Sequence, residues 1–301
     1  MTEPFQACEI CSATAWTGVY AGPVRDGAFG SLTPDTVVAR CGQCGAERLR
    51  DDAAKDDAIY TDSAYRQLLK EPTGVAGYMS EHDVLQMRNL AELWPDSLRG
   101  KTHADIGCAA GSFLDHISGL ADALIAVEPC LDYHDSLMAR GYHAFSALDQ
   151  ACEIWAGKVD QITSFSVIEH VGDPRGFLAG MAALLSPGGR IVISTPNRDD
   201  VMMEMLPDDY PAFFYRSVHR WYFDQASLAA CAEQAGLKVV EMRCRHRFGL
   251  SNAMHWLRDR TPRLDAAMLD LPAKRLDDLW RAELEASGRG DYLYAVLAHS
   301  G

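Results

Sequence analysis

The sequence predicts a doubly wound α/β domain with a small N-terminal metal-binding module and helical insertions near the C-terminus. Three observations predict it. Between residues 101 and 195 short apolar runs alternate with amphipathic segments, the pattern of parallel strands joined by crossover helices. The first run ends in a bend of small residues, "HADIGCAAGSFL" (103–114), where a ligand can approach backbone without a side chain between. Two CxxC pairs, "CEIC" (Cys8, Cys11) and "CGQC" (Cys41, Cys44), occupy the N-terminal fifth of the chain.

Composition sets the limits. A chain of 301 residues, 48% of them hydrophobic, can bury a large core. Its net charge of -14 opposes approach to the phosphate backbone of nucleic acid. No apolar run approaches the roughly 20 residues of a membrane helix. The opening "MTEPFQACEI" has neither the basic nor the apolar stretch of a secretory leader, so a cytoplasmic protein is the expectation. Cys108, Cys130, Cys152, Cys231 and Cys244 are scattered singly through apolar segments, as small buried thiols are.

Residues 1–60 form the module. Each CxxC turn aims two thiolates to one side, and two turns complete a four-sulfur shell for structural Zn2+ with no coordination position left open. "DTVVARC" reads as a strand leading into the second pair, and "GVYAGPVRDGAFGSLTPD" as an irregular loop. Residues 61–100 read as a helical connector and cap, and the segment "LRDDAAKDDAIYTDSAYRQLLKEP" that leads into it docks through Tyr60 and Tyr65. The connector helix has Ser80 as N-cap, Val84, Met87, Ala91 and Trp94 on the inward face, and Pro95 as stop.

The main domain, 101–301, opens with the strand "KTHADIG" and the helix "GSFLDHISGL". "ALIAVEP", "YHAFSA", "QITSFSVIEHV" and "RIVISTP" are further strands, with "CLDYHDSLMARG" and "PRGFLAGMAALLSPGG" as helices between them. The last helix turns Phe177, Leu178, Met181, Leu184 and Leu185 to one face. "DYLYAVLAH" is a final strand, and 197–223 and 245–290 are insertions that should select the substrate. In such sheets ligands lie beyond the carboxyl ends of the strands. That rule points to Asp105 through Gly111, Glu128, and residues 147–149 and 164–170. The bend lacks the central glycine of a dinucleotide fingerprint, but Glu128 ends the second strand, where a carboxylate can accept hydrogen bonds from both ribose hydroxyls.

Taken in order and spacing, "HADIGCAAGSFL", "AVEP", "SFSVIEHVGDP", "LLSPGGRIVISTPN" and "HRWYFDQASLAACAEQAGLKVVEM" resemble the class I S-adenosylmethionine-dependent methyltransferases. The resemblance implies a Rossmann-like methyltransferase sheet and S-adenosyl-L-methionine as cofactor. By position it implies Asp105, Gly107, Cys108, Ala109 and Gly111 at the methionine part, Glu128 and Pro129 at the ribose, and Leu148 and Asp149 near the adenine. Ser164 and Phe165 would close the pocket. Ala109 departs from the glycine usual in the family. A cysteine module followed by a tyrosine-bearing connector is similar to a subset associated with sugars, surface polysaccharides and small natural products.

The expectation is O-methylation of a sugar, nucleotide-linked or in a glycan, or of another small molecule. A hydroxyl acceptor needs a base, and two histidines are candidates. His170 follows Glu169 at the mouth of the fourth strand, and His219 lies in the 197–223 insertion; either can instead be a structural hydrogen-bonding residue. Some relatives with a Glu-His turn hold a divalent ion with an acid three positions earlier; this chain has Ser166 there, which puts a catalytic metal in doubt. The run "RCRHRFGLSNAMHWLRDRTPR" gathers Arg243, Arg245, His246, Arg247, Arg258, Arg260 and Arg263, either for a phosphate-bearing acceptor or as a solvated ion-pair face. Trp256 and Trp280 read as core or as a homodimer surface. Two alternatives stay open: an RNA methyltransferase gripping its substrate through the module, which the acids of residues 1–62 oppose, and a non-catalytic S-adenosylmethionine-binding protein.

Overall fold

The computed structural model describes residues 5–93, 98–261 and 274–300; Trp94, Pro95 and Arg263 lie outside the described residues. Strands β1 (Trp16–Gly22), β2 (Thr36–Cys41) and β3 (Glu47–Leu49) form an antiparallel sheet at the N-terminus. β1 corrects the reading of its segment as irregular loop. It pairs with β2 from Trp16 opposite Cys41 to Gly22 opposite Thr36, with a bulge between Gly18 and Tyr20. Two glycines and a largely solvated face deprive that strand of the apolar alternation that would have disclosed it.

Helices α1 (Ala64–Leu69) and α2 (Val75–Leu93) follow. α2 starts before Ser80, and its inward face is not the expected one. Val84 and Met87 are 64% and 60% exposed and Ala91 is exposed as well, whereas Tyr78, Asn89 and Leu93 are buried. The helix packs on the first helix of the main domain and on a cavity, so its buried stripe carries hydrogen-bonding groups; Asn89 Oδ1 accepts from the Tyr294 hydroxyl at 2.8 Å. Hydrophobicity selects the wrong side of such a helix.

The main domain runs β4 (Thr102–Ile106), α3 (Ser112–Ile117), β5 (Ala123–Val127), α4 (His134–Ala139), β6 (His143–Phe145), α5 (Leu148–Trp155), β7 (Val159–Phe165), α6 (Pro174–Leu184) and β8 (Leu185–Pro196). Then come α7 (Val201–Met205), α8 (Pro211–Phe214), β9 (Trp221–Tyr222), α9 (Gln225–Gln234), β10 (Leu237–Arg245), α10 (Leu250–Asp259), α11 (Lys274–Ala286) and β11 (Tyr292–His299). The sheet has the order β10-β11-β8-β7-β4-β5-β6. β4 to β8 pair in parallel, and β11 enters antiparallel between β8 and β10. The central strands are apolar on both faces because helices cover both: Ala104, Ile125, Ile162, Ile191 and Ile193 are fully buried. The chain leaves β4 for β5 on one side and returns to β7 on the other, which opens a crevice at their carboxyl ends.

The 197–223 insertion supplies α7, α8 and β9. β9 joins the N-terminal sheet as its fourth strand, with Glu47 opposite Tyr222 and Arg48 opposite Trp221. The later insertion packs inward: Trp256 is buried with Tyr210 and Phe214, and Trp280 rests on the same cluster, the core role among those expected. Among the described residues no helix is long and apolar enough to cross a membrane.

Candidate active site

A cavity of about 610 Å³ opens at the carboxyl ends of β4, β5 and β7. Its floor is the bend after β4. Gly107 has φ +77°, and a Cβ there would lie 2.4 Å from Val167 Cγ2, so only glycine fits. Ala109 also adopts a left-handed conformation, φ +48°, which costs an L-residue roughly 1–2 kcal/mol. The geometry explains why glycine suits that position and why alanine is tolerated. The Ala109 amide donates to Glu128 Oε2 at 2.7 Å, and the Cys130 amide to Oε1 at 2.8 Å. These two bonds orient the carboxylate, while burial raises its pKa.

Asp105 is buried below the bend, and burial pushes its pKa up to about 7. It accepts from Thr163 Oγ1 at 2.6 Å, and Thr163 in turn meets His103 Nε2 at 3.0 Å, a polar line across β4 and β7. Asp105, Gly107, Cys108 and Ala109 line the cavity floor; Glu128, Pro129, Leu148 and Phe165 line its sides. Three expected residues lie off the wall. Gly111 caps α3, Ser164 donates to the Ile106 carbonyl at 2.9 Å, and Asp149 is exposed on α5.

Glu169, His170 and His219 converge on the cavity wall, with one ligand atom from each within 4.8 Å of the others. His170 Nδ1 lies 2.6 Å from the Val218 carbonyl oxygen. A carbonyl only accepts, so Nδ1 carries the proton and Nε2 is left with a bare lone pair. The Tyr60 hydroxyl lies 2.8 Å from the same Nδ1 and donates to Val218 O at 2.9 Å. Burial, then the nearby Arg216, lowers the His170 pKa to about 3, keeping the ring neutral. Glu169 is buried, pushed up to about 7 by burial, and accepts from Thr195 Oγ1 at 3.0 Å; its Oε1 has no hydrogen-bond partner. His219 packs edge-on against His170 at 4.7 Å between ring centroids, and its Nδ1 is also buried without a partner. This trio has the donor types of a cation site, yet Arg216 Nη1 is 3.4 Å from His219 Nε2 and sets positive charge where a cation would sit.

The connector forms the remaining wall, which sequence reasoning did not foresee beyond Tyr60 and Tyr65. Tyr65, Arg66, Tyr78 and His82 face the cavity, with Tyr78 and His82 stacked at 4.0 Å. The signal was present as the four-residue spacing of aromatic and polar side chains along α2. The late arginine run, by contrast, forms an ion-pair face. Arg243 and Arg245 meet Glu92, Arg258 meets Asp259, Arg260 meets Asp209, and Arg247 meets Asp291. Only Arg247 of these lines the cavity.

The four N-terminal cysteines also come together. Cys8 and Cys44 Sγ atoms are 3.7 Å apart, Cys11 and Cys41 3.5 Å, and all four lie within 4.8 Å of one another. Tetrahedral zinc with bonds of about 2.3 Å sets its sulfurs about 3.8 Å apart, so the donor set and spacing fit that ion. Contact with Cys44 lowers the Cys8 thiol below its ordinary range.

Residues 78–242 match a family model described as a methyltransferase domain, which covers more than half of the 301 residues. The chain is 27% identical over 173 residues to a ubiquinone biosynthesis O-methyltransferase of Thiobacillus denitrificans, covering 50% of this chain and 71% of the relative. It is 29% identical over 167 residues to the protein of that name from Cupriavidus pinatubonensis, covering 48% and 64%. In fold it is similar to a chain from the complex between the Haloferax volcanii Trm112 methyltransferase activator and a methyltransferase, with TM-score 0.51 and 15% identity over 75% of this chain and 94% of that one.

Proposed function

Because the chain belongs to the methyltransferase-domain family and is an S-adenosylmethionine-dependent methyltransferase, we propose that it methylates a hydroxyl of a sugar or other small molecule, with His170 as base. The observation that carries this reading is the tautomer of His170, whose bare Nε2 belongs to a ring lining the cavity. The bound cofactor supplies an electrophilic methyl group on a sulfonium. Glu128 would hold the ribose and the Gly107–Ala109 bend the amino-acid part, which fixes the methyl carbon for in-line attack. Tyr60 and the Val218 carbonyl hold the His170 ring, so that Nε2 takes the acceptor's proton as the new bond forms. Tyr65 and α2 wall the cavity and would shield the reaction from water.

Cys8, Cys11, Cys41 and Cys44 would hold a structural zinc ion that shapes the N-terminal sheet. Arg40 and Arg48 of that module are already taken up by Glu47, Glu9 and Asp51, which weighs against RNA as the acceptor. The catalytic proposal is tested by His170→Asn. Turnover should fall by roughly 10² to 10⁴, with the affinity for S-adenosylhomocysteine unchanged in calorimetry. Undiminished turnover removes His170 from the chemistry.

A further inference from the structure

Three arginines line the cavity, and two of them are neutralised. Arg66 Nη1 is 2.6 Å from Glu71 Oε2, and Arg247 Nε is 2.6 Å from Asp291 Oδ2. Arg216 is different. Among the described residues no carboxylate stands within ion-pairing distance of it. Its Nε is buried without a hydrogen-bond partner, and Nη1 reaches only His219 Nε2 at 3.4 Å. Beside it on the paired backbone stands Arg25, whose guanidinium lies over the Phe213 ring at 4.3 Å and whose Nε is likewise buried without a partner.

Two adjacent guanidiniums without a counter-charge are an unfavourable arrangement in an enclosed space, and more so in a chain with 42 acidic residues to 28 basic ones. The arrangement makes sense if the missing charge arrives with the ligand. We infer that Arg216 receives an oxyanion, carboxylate or phosphate, borne by the acceptor itself, and thereby sets the acceptor hydroxyl beside His170. This rests on the methyltransferase reading above and names the substrate class for it. A planar guanidinium offers parallel donors that match two oxygens of either group. His170 and His219 line the cavity with it, and Nη1 meets His219, not the bend or Glu128 that would hold the cofactor. The charge also acts on the base. Arg216 helps to hold His170 at about 3, so an acceptor that neutralises the guanidinium makes His170 more basic as it binds. An uncharged analogue lacks both the anchor and that activation.

The test uses the full chain saturated with S-adenosylhomocysteine and three probes in calorimetry: dihydroxybenzoate, its uncharged carboxamide and inorganic phosphate. At least one anion should bind, the carboxamide more weakly than the acid, and Arg216→Gln should weaken the anion by roughly tenfold or more. Arg216→Lys should recover part of the loss, and Arg243→Gln, on the remote ion-pair face, should change nothing. Binding by dihydroxybenzoate or by phosphate alone distinguishes the two anions. Failure of both anions to bind, or equal binding to wild type and Arg216→Gln, overturns the inference. If Arg216→Gln does not fold, wild type that binds no phosphate and binds acid and carboxamide equally overturns it. Failure of S-adenosylhomocysteine to bind wild type would instead strike the functional reading, so the two failures are separable.

Discussion

The two sheets of the molecule are held by different means. The seven-stranded sheet buries Ala104, Ile125, Ile162, Ile193 and Leu293 completely between layers of helices, so apolar burial suffices to specify it. The four-stranded sheet has short strands, and most of β1 is solvated. It depends on cross-links: the four thiols, Arg40 on Glu47 at 2.8 Å, Arg48 on Glu9 at 2.7 Å, and Arg198 between Glu47 and Asp224. The difference divides the cavity. The bend and Glu128 belong to the self-sufficient sheet, whereas His219 stands just before β9 of the dependent one. The sheets join at Glu169, whose carbonyl accepts the Arg220 and Trp221 amides at 2.8 and 3.0 Å.

The strongest way to break this division is to remove the zinc ion proposed for the four thiols. Cys41→Ser, or a chelator, should abolish one zinc per chain and with it stabilisation on the order of 10 kcal/mol in the four-stranded sheet. Hydrogen exchange should accelerate in β1 to β3, and turnover should vanish while S-adenosylhomocysteine still binds. Full turnover by reduced, metal-free protein would contradict the dependence. Next in size is Glu128→Ala, which should weaken S-adenosylhomocysteine roughly 100-fold by removing two charge-assisted hydrogen bonds. Exchange in β1 to β3 should stay as in wild type; unchanged affinity would misplace the ribose.

The smallest effect probes the junction. Burial raises Glu169 from an ordinary 4.5 to about 7, so the fold favours its protonated form. Its contribution is complete below pH 4.5 and declines as pH rises through 7, on the order of 3 kcal/mol. Glu169→Gln should flatten that slope in denaturant titrations at a series of pH values. Asp105, also near 7, should leave a residual slope of the same sign. An unaltered slope in the variant would mean that Glu169 ionises freely.

What could be read without coordinates was local. The glycine-bearing bend, the acid closing β5 and the CxxC spacing each place their groups within a few bonds of one another, so short-range chain geometry decides them. β1 and the inward face of α2 escaped because apolar periodicity reports burial against a core: one strand is mostly solvated, and one helix turns polar groups to a cavity. The acceptor side escaped for another reason. Tyr60 reaches His170 across 110 positions, and Arg216 reaches the cavity through the segment that β9 anchors to β3.

The chain's own pattern thus determined the parallel core, the cofactor crevice and the cysteine set. Which cations lack a carboxylate was decided only by tertiary structure. Six arginines and a histidine standing near one another in sequence signalled charge density, but ion pairing depends on what folds against each guanidinium. That contact supplied Glu92, Asp291 and Asp209 to the late run and none to Arg216.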